Sequence, residues 1–117
     1  MRLELTDHDG VMVGRIDGDV DFGSAGDLGR DILRALPDSS VGLVLDLTDV
    51  RYVDSGGVRL LFELAAHLAV SSRKVALAVP ETSPIRRLIK ITRLEEAVLV
   101  CTIEPECTEM IRQTSRG

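Results

Sequence analysis

The sequence predicts an α/β fold: a single domain with a mixed β-sheet, an antiparallel hairpin at its N-terminus and about four helices. The chain has 117 residues, and 44% of them are hydrophobic, which is enough for one modest core. It contains two Phe, one Tyr and no Trp, so aliphatic residues must build that core. Such a core suits a sheet covered by helices. We expect one domain over residues 1–117, with a frayed tail at about 113–117.

The first elements are a hairpin and a helix. Residues 3–6 and 11–13 have strand patterns, and the turn residues at 7–10 lie between them. A helical pattern follows, with Ser24 as the expected cap, and the loop at 37–40 ends it. The chain therefore begins with two paired strands and an amphipathic helix.

The remaining elements alternate strands with helices. Residues 41–47 are nearly all apolar, as expected for a strand covered on both faces. The helix after Ser55 carries apolar residues at helical spacing. The later elements are a strand at 75–79, a helix beginning at Ser83-Pro84, a short strand at 97–100 and a last helix beginning between residues 102 and 105.

Charge and hydropathy exclude two classes of partner. The formal net charge is −5, whereas binding of nucleic acid needs a basic face. No apolar run approaches the roughly 20 residues that cross a bilayer. The N-terminal residues do not have the pattern of a signal peptide. We therefore expect a cytoplasmic protein with no nucleic-acid partner and no membrane insertion.

The two cysteines do not form a recognisable motif. Cys101 and Cys107 are six residues apart, and this spacing matches no metal or redox site. The pair could form a disulfide bridge. Without an export signal, however, reduced thiols are the better expectation.

The segment Asp54-Ser55-Gly56-Gly57 is the most informative part of the chain. It lies between an apolar strand and an amphipathic helix, where the unpaired N–H groups of a helix terminus favour an anion. Ser55 could be an ordinary N-cap of that helix, or it could be a phosphate acceptor. The two glycines each cost roughly 1 kcal/mol in a helix relative to Ala. They would allow another protein to approach the backbone closely.

Catalysis by Ser55 is not expected. A nucleophilic serine needs a base, and His67 lies roughly 18 Å further along the same helix at 1.5 Å per residue. His8 lies in a turn that nothing in the sequence brings near, and the glycines do not match a nucleophile elbow. The chain also lacks a Gly-Lys-Ser/Thr phosphate loop, so we expect no enzyme and no cofactor.

Carboxylates at strand ends raise the question of a metal. Mg²⁺ usually takes substrate phosphates as further ligands, and Asp is also a common cap and turn residue. We therefore expect no metal site and interpret some of these carboxylates as caps and turn formers. The residues are Asp19, Asp21, Asp46, Asp49 and Asp54.

The order of elements together with the motif resembles a STAS domain of the bacterial anti-sigma-factor antagonist branch. The resemblance covers nearly the whole chain. Its specific segments are residues 18–21, residues 43–47 with Val50, and residues 54–57, with a weaker segment at 91–94. It implies that Ser55 is the phosphorylated serine of the family.

The resemblance also implies a set of partners. An anti-sigma factor with an ATP-binding kinase domain would bind the unphosphorylated chain, release a sigma factor and phosphorylate Ser55. A serine phosphatase would reverse the modification. The residues expected to contact the partner are Asp21, Asp54, Gly56, Gly57, Val58 and Arg59.

The chain departs from the family pattern at two positions. Gly56 stands where Ser or Thr usually follows the phosphoacceptor, and Arg93 replaces a common glycine. The first departure could alter kinase recognition or the local loop. An alternative function is a scaffold subunit of a transport complex, such as a lipid-trafficking complex, in which Ser55 is not phosphorylated.

Overall fold

A computed structural model describes residues 1–116. It contains five strands, four α-helices and one 3₁₀ turn at Leu94–Glu96. The strands are β1 (Arg2–His8), β2 (Val11–Asp17), β3 (Gly42–Asp49), β4 (Lys74–Ala78) and β5 (Leu99–Cys101). The helices are α1 (Phe22–Ala35), α2 (Ser55–Ala69), α3 (Pro84–Ile91) and α4 (Glu104–Arg116). No described helix combines the length and the apolarity needed to cross a membrane.

The five strands form one mixed sheet in the order β1-β2-β3-β4-β5. β1 pairs antiparallel with β2, and every later pair is parallel. A parallel pair needs a crossover connection, which α1, α2 and α3 provide between successive strands. The predicted α/β fold with an N-terminal hairpin and four helices is therefore confirmed.

The helices cover the two faces of the sheet unequally. Residues from α1, α2 and α3 pack in the larger hydrophobic cluster, whose fully buried members include Ile32, Leu64 and Leu68. On the other face, α4 contributes Cys107 and Ile111 to a smaller cluster with residues of β2, β3 and β4. The larger cluster holds α2 in place, and the segment Asp54-Ser55-Gly56-Gly57 lies at the N-terminus of α2.

The N-terminus of α1 differs from the sequence prediction. α1 begins at Phe22 because Asp21, rather than Ser24, is its N-cap. Ser24 is the third helical residue, and its hydroxyl accepts a hydrogen bond from the Asp21 N–H at 3.1 Å. This reciprocal pair is a capping box. At the other end of the chain, residues 113–116 continue α4, and Gly117 lies outside the described residues.

The cysteines correct the expectation of reduced thiols. Cys101 and Cys107 form a disulfide, and their Cα atoms are 5.7 Å apart. This separation lies in the usual range for disulfides, because the last residue of β5 faces the first turn of α4. Both residues are buried, so the bridge joins β5 to α4 within the smaller cluster. The spacing of six residues in the sequence did not indicate that the two cysteines are close in space. The turn between β5 and α4 brings them together.

A backbone bridge joins the two loops that precede α1 and α2. Val20 and Val53 form an isolated parallel bridge. The Val20 N–H donates to the Tyr52 carbonyl at 3.0 Å, and the Asp54 N–H donates to the Val20 carbonyl at 3.2 Å. The N-termini of the two helices are therefore held side by side at the carboxyl ends of β2 and β3.

Candidate functional site: a serine at the first turn of α2

Ser55 is the first residue of α2 and is not its N-cap. The cap is Asp54, whose side chain accepts a hydrogen bond from the Gly57 N–H. The simple capping interpretation of Ser55 is therefore wrong, because a neighbouring residue already occupies that role. Ser55 is exposed. Among residues 1–116, its hydroxyl has no hydrogen-bond partner, so it is available to an incoming group.

Asp54 binds the N-termini of two helices. Its Oδ1 accepts from the Gly57 N–H at 3.0 Å, and its Oδ2 accepts from the Phe22 N–H at 2.9 Å. The hydrogen bond from Phe22 has the largest effect on the pKa of Asp54, and the bond from Gly57 has the next largest. Both lower this pKa because they favour the ionised carboxylate, whereas desolvation of the carboxylate raises it. Asp54 is therefore a structural anion, and both of its oxygens are occupied within the chain.

Asp21 has a similar structural role on the neighbouring helix. The Ser24 N–H donates to its Oδ1 at 3.0 Å, which completes the capping box of α1. The side chain is half-buried and lies beside Phe22, the residue that Asp54 holds. The structure thus brings Asp21 and Asp54 together with Ser55 at the adjacent N-termini of α1 and α2. Both carboxylates, however, already accept hydrogen bonds from the chain.

Contacts inside the chain account for both glycines. A Cβ on Gly56 would lie 2.8 Å from the Cα of Phe22. A Cβ on Gly57 would lie against the carbonyl oxygen of Val20 and 2.6 Å from Cγ1 of Val53. Two real carbon atoms do not approach so closely, so any larger residue would displace the N-terminus of α1 or the backbone bridge. The close approach inferred from sequence is therefore made by this chain itself.

The last two residues of the predicted contact surface face in different directions. Val58 is 9% exposed and belongs to the core, so it is not an accessible contact. Arg59 is exposed and forms an ion pair with Glu63, one turn later, at 2.9 Å. Of these two, Arg59 alone is available at the surface.

The sequence argument missed two aromatic residues beside the serine. Phe22 is 82% exposed and Tyr52 is 55% exposed. The sequence did contain a signal for these residues. The chain has very few aromatic residues, so an aromatic residue next to a candidate motif is unusual. Phe22 also lies at one end of a groove of about 530 Å³ between α1 and α2, whose lining includes Leu33 and His67.

The structure gives other partners to the polar residues considered for chemistry. His8 contacts Glu104 at 3.7 Å, and within the described chain neither His8 nor His67 hydrogen-bonds to Ser55. Asp46 accepts from the N–H and the hydroxyl of Thr48. Across residues 1–116, no group of three His, Cys, Asp or Glu residues is arranged to hold a metal ion. Asp46 therefore acts locally, as the cap-and-turn interpretation predicts.

The model of the STAS domain family matches residues 2–114. The chain belongs to the STAS domain family. The family assignment made from the sequence is confirmed.

Solved structures of similar proteins include anti-sigma factor antagonists. One, from Mycobacterium paratuberculosis, is 28% identical over 95% of this chain and 93% of that chain, with a TM-score of 0.79. SpoIIAA in its unphosphorylated form is 20% identical over 99% of each chain, with a TM-score of 0.72. The Bacillus SpoIIAA in its phosphorylated form is 19% identical over 94% of this STAS domain and 99% of that chain, with a TM-score of 0.65.

A transporter-related structure has the same fold. A sulfate transporter family protein from Wolinella succinogenes is 17% identical over 96% of this STAS domain and 93% of that chain, with a TM-score of 0.77. Because the transporter-related protein and SpoIIAA are each 20% identical or less to this chain, their similarity to it establishes only a shared fold. The mycobacterial antagonist is the more similar of these proteins in sequence.

Proposed function

We propose that this STAS domain is an anti-sigma-factor antagonist and that Ser55 is its phosphoacceptor. In its unphosphorylated form it binds an anti-sigma factor that has an ATP-binding kinase domain, and a sigma factor is released. A serine phosphatase restores the hydroxyl. The observation that carries the proposal is the exposed Ser55 hydroxyl on the first turn of α2, which has no hydrogen-bond partner among residues 1–116. In this function the chain is a cytoplasmic binding protein and a kinase substrate, and not an enzyme.

Phosphorylation joins the γ-phosphoryl group of ATP to the Oγ of Ser55. A new O–P bond forms, the bond to the β-phosphate breaks, and ADP and the hydroxyl proton leave. The phosphate brings about −1.5 to −2 charges at neutral pH. The helix N-terminus stabilises such an anion by about 0.3–1 kcal/mol, and by up to about 2 kcal/mol where it is partly buried. The first turn of α2 thus suits the product of the reaction.

The added charge should act mainly at the interface with the partner. Like charges that face each other across an interface cost several kcal/mol. A difference of about 1.4 kcal/mol already changes the affinity tenfold. The repulsion therefore exceeds the stabilisation by the helix. We infer that phosphorylation weakens partner binding and leaves the fold of the domain intact.

Phosphorylation assays test the proposal directly. Incubation of the full chain with purified anti-sigma factor kinases and Mg-ATP should label Ser55, and Ser55→Ala should abolish the label. Ser39→Ala, in the exposed loop after α1, is the matched control and should be labelled normally. Ser55→Asp should weaken the complex, and amide spectra should change near residue 55 only.

Three outcomes contradict parts of the proposal. An unchanged affinity of Ser55→Asp would reject the charge mechanism. A global change of the amide spectrum on phosphorylation would reject an intact fold. Recovery of a transporter ATPase in place of a kinase, in a pull-down from the native host, would instead support the scaffold alternative.

A further inference from the structure

Two exposed aromatic residues belong to the segments that form the N-termini of α1 and α2, where Ser55 also lies. Phe22 is 82% exposed and Tyr52 is 55% exposed, although aromatic side chains usually bury much of their surface. The chain contains only two Phe and one Tyr, so two of its three aromatic residues lie near the N-termini of α1 and α2. Exposed aromatic residues are enriched among the anchors of protein interfaces. We call Phe22 and Tyr52 the aromatic pair.

The backbone fixes both residues next to the serine. The Tyr52 carbonyl accepts from Val20, two residues before Phe22. The Phe22 N–H donates to Asp54, the residue before Ser55, at 2.9 Å. The aromatic pair is therefore held by the same hydrogen bonds that position the N-terminus of α2.

Gly56 is the residue that allows Phe22 to take this position. A Cβ at residue 56 would lie 2.8 Å from the Cα of Phe22 and 3.0 Å from Cδ2 of its ring. The Cα belongs to the backbone of α1 and cannot rotate away. Any other residue at position 56 would therefore move Phe22 away from the first turn of α2.

We propose that the aromatic pair is the surface by which the phosphorylating partner recognises this chain, and that Gly56 determines specificity by holding Phe22 beside Ser55. The inference rests on the proposed function. A kinase must bring the γ-phosphate of ATP to the Ser55 Oγ, and a standard interface covers about 800 Å² on each partner. A partner centred on Ser55 therefore covers the aromatic pair as well. The part of the partner's surface that faces the aromatic pair is an apolar recess next to the partner's ATP site.

Alanine variants of the aromatic pair test this recognition. Anti-sigma factor kinases encoded in the source genome are purified and compared on the full wild-type chain with Mg-ATP. The kinase that phosphorylates the chain fastest is the probe. Phe22→Ala and Tyr52→Ala should each lower kcat/KM for Ser55 phosphorylation about tenfold, mainly through KM. Val70→Ala and Ile91→Ala are matched controls, because these side chains are 90% and 67% exposed and lie at the C-terminal ends of α2 and α3. They should stay within about twofold of wild type.

A double variant tests the role of Gly56. Gly56→Ser introduces the residue type usual in the family and should lower kcat/KM about tenfold by displacing Phe22. Because this loss acts through Phe22, the double variant Phe22→Ala/Gly56→Ser should be no worse than the poorer single variant. Additive losses would overturn the coupling of the two residues. If Gly56→Ser does not fold, Phe22→Ala and Tyr52→Ala still decide the recognition surface.

The inference and the proposed function fail in different ways. Wild-type rates for Phe22→Ala and Tyr52→Ala, with Ser55 phosphorylated, would overturn the aromatic surface and leave the phosphoacceptor in place. Absence of Ser55 phosphorylation in the wild-type chain by every kinase tested would overturn both. A loss of rate in the two control variants equal to that of the aromatic pair would also overturn the inference.

Discussion

The Asp54 carboxylate accepts a hydrogen bond from the backbone N–H of Phe22 at 2.9 Å, across 32 positions of sequence. Its other oxygen caps α2 through the Gly57 N–H at 3.0 Å. One side chain thus satisfies an unpaired N–H at the first turn of each of two helices. Ser55 follows this residue directly, so the geometry of the candidate phosphoacceptor depends on a contact with α1.

Asp54→Asn should lower the thermal unfolding midpoint by several degrees at pH 7, because an uncharged amide interacts less well with two helix N-termini. The difference from wild type should shrink at acid pH. The N–H donors hold the pKa of Asp54 below the ordinary aspartate value of about 3.9. Its contribution is therefore complete above that value and is lost as the pH falls through the lower folded-state pKa.

Thermal unfolding of both proteins from pH 7 to pH 2 measures this effect. Asp38→Asn is the control, because Asp38 lies exposed in the loop after α1. The control should show no comparable pH-dependent difference. An Asp54→Asn deficit that is as large at pH 2 as at pH 7 would contradict a charge-based role.

Alanine at three glycines should change stability with different signs. Gly26→Ala should stabilise the protein by up to about 1 kcal/mol, because nothing lies within 4 Å of its Cβ position and Ala favours a helix. Gly56→Ala should destabilise by about 1–3 kcal/mol through its contact with Phe22. Gly57→Ala should cost more, since its Cβ meets the backbone carbonyl of Val20. Urea unfolding gives the order, and a stabilising Gly57→Ala would contradict these contacts.

Arg93 occupies a backbone conformation that favours glycine. Its φ is 60° and its ψ is 26°, in the left-handed region. Arg93→Gly should therefore be neutral or stabilising by up to about 1 kcal/mol, even though the exposed ion pair with Glu96 is lost. Arg87→Gly, within α3, is the control and should destabilise by about 1 kcal/mol. Chemical denaturation of both variants measures the contrast, and equal losses would contradict it.

Reduction of the disulfide should weaken the domain. Closing a loop between Cys101 and Cys107 stabilises the native chain by about 2 kcal/mol in the chain-entropy treatment. Addition of dithiothreitol should therefore lower the urea midpoint of the wild-type chain. The double variant Cys101→Ala/Cys107→Ala should not respond to the reductant. Two free thiols in air-exposed, urea-unfolded wild-type protein would contradict the bridge.

Much of the architecture could be predicted from the sequence. The apolar run at 41–47 predicted β3, and Ser83 followed by Pro84 predicted the start of α3, because period and local capping chemistry are properties of neighbouring residues. The family was identified from the order of elements together with the segments at 18–21, 43–47 and 54–57. By contrast, the sequence predicts Ser24 as the cap of α1, because serine is a common cap and the true cap, Asp21, stands only three residues earlier.

The features of the site that the sequence did not provide depend on distant contacts. By itself, the sequence determined the order of elements, the aliphatic core, the family and the position of Ser55 at the start of a helix. Only the tertiary structure decided that Asp54 caps two helices, that Gly56 lies against Phe22, and that the cysteines are bridged. The physical reason is that helix periodicity and capping act over a few residues, whereas these contacts form only when the loops before α1 and α2, and β5 and α4, pack together.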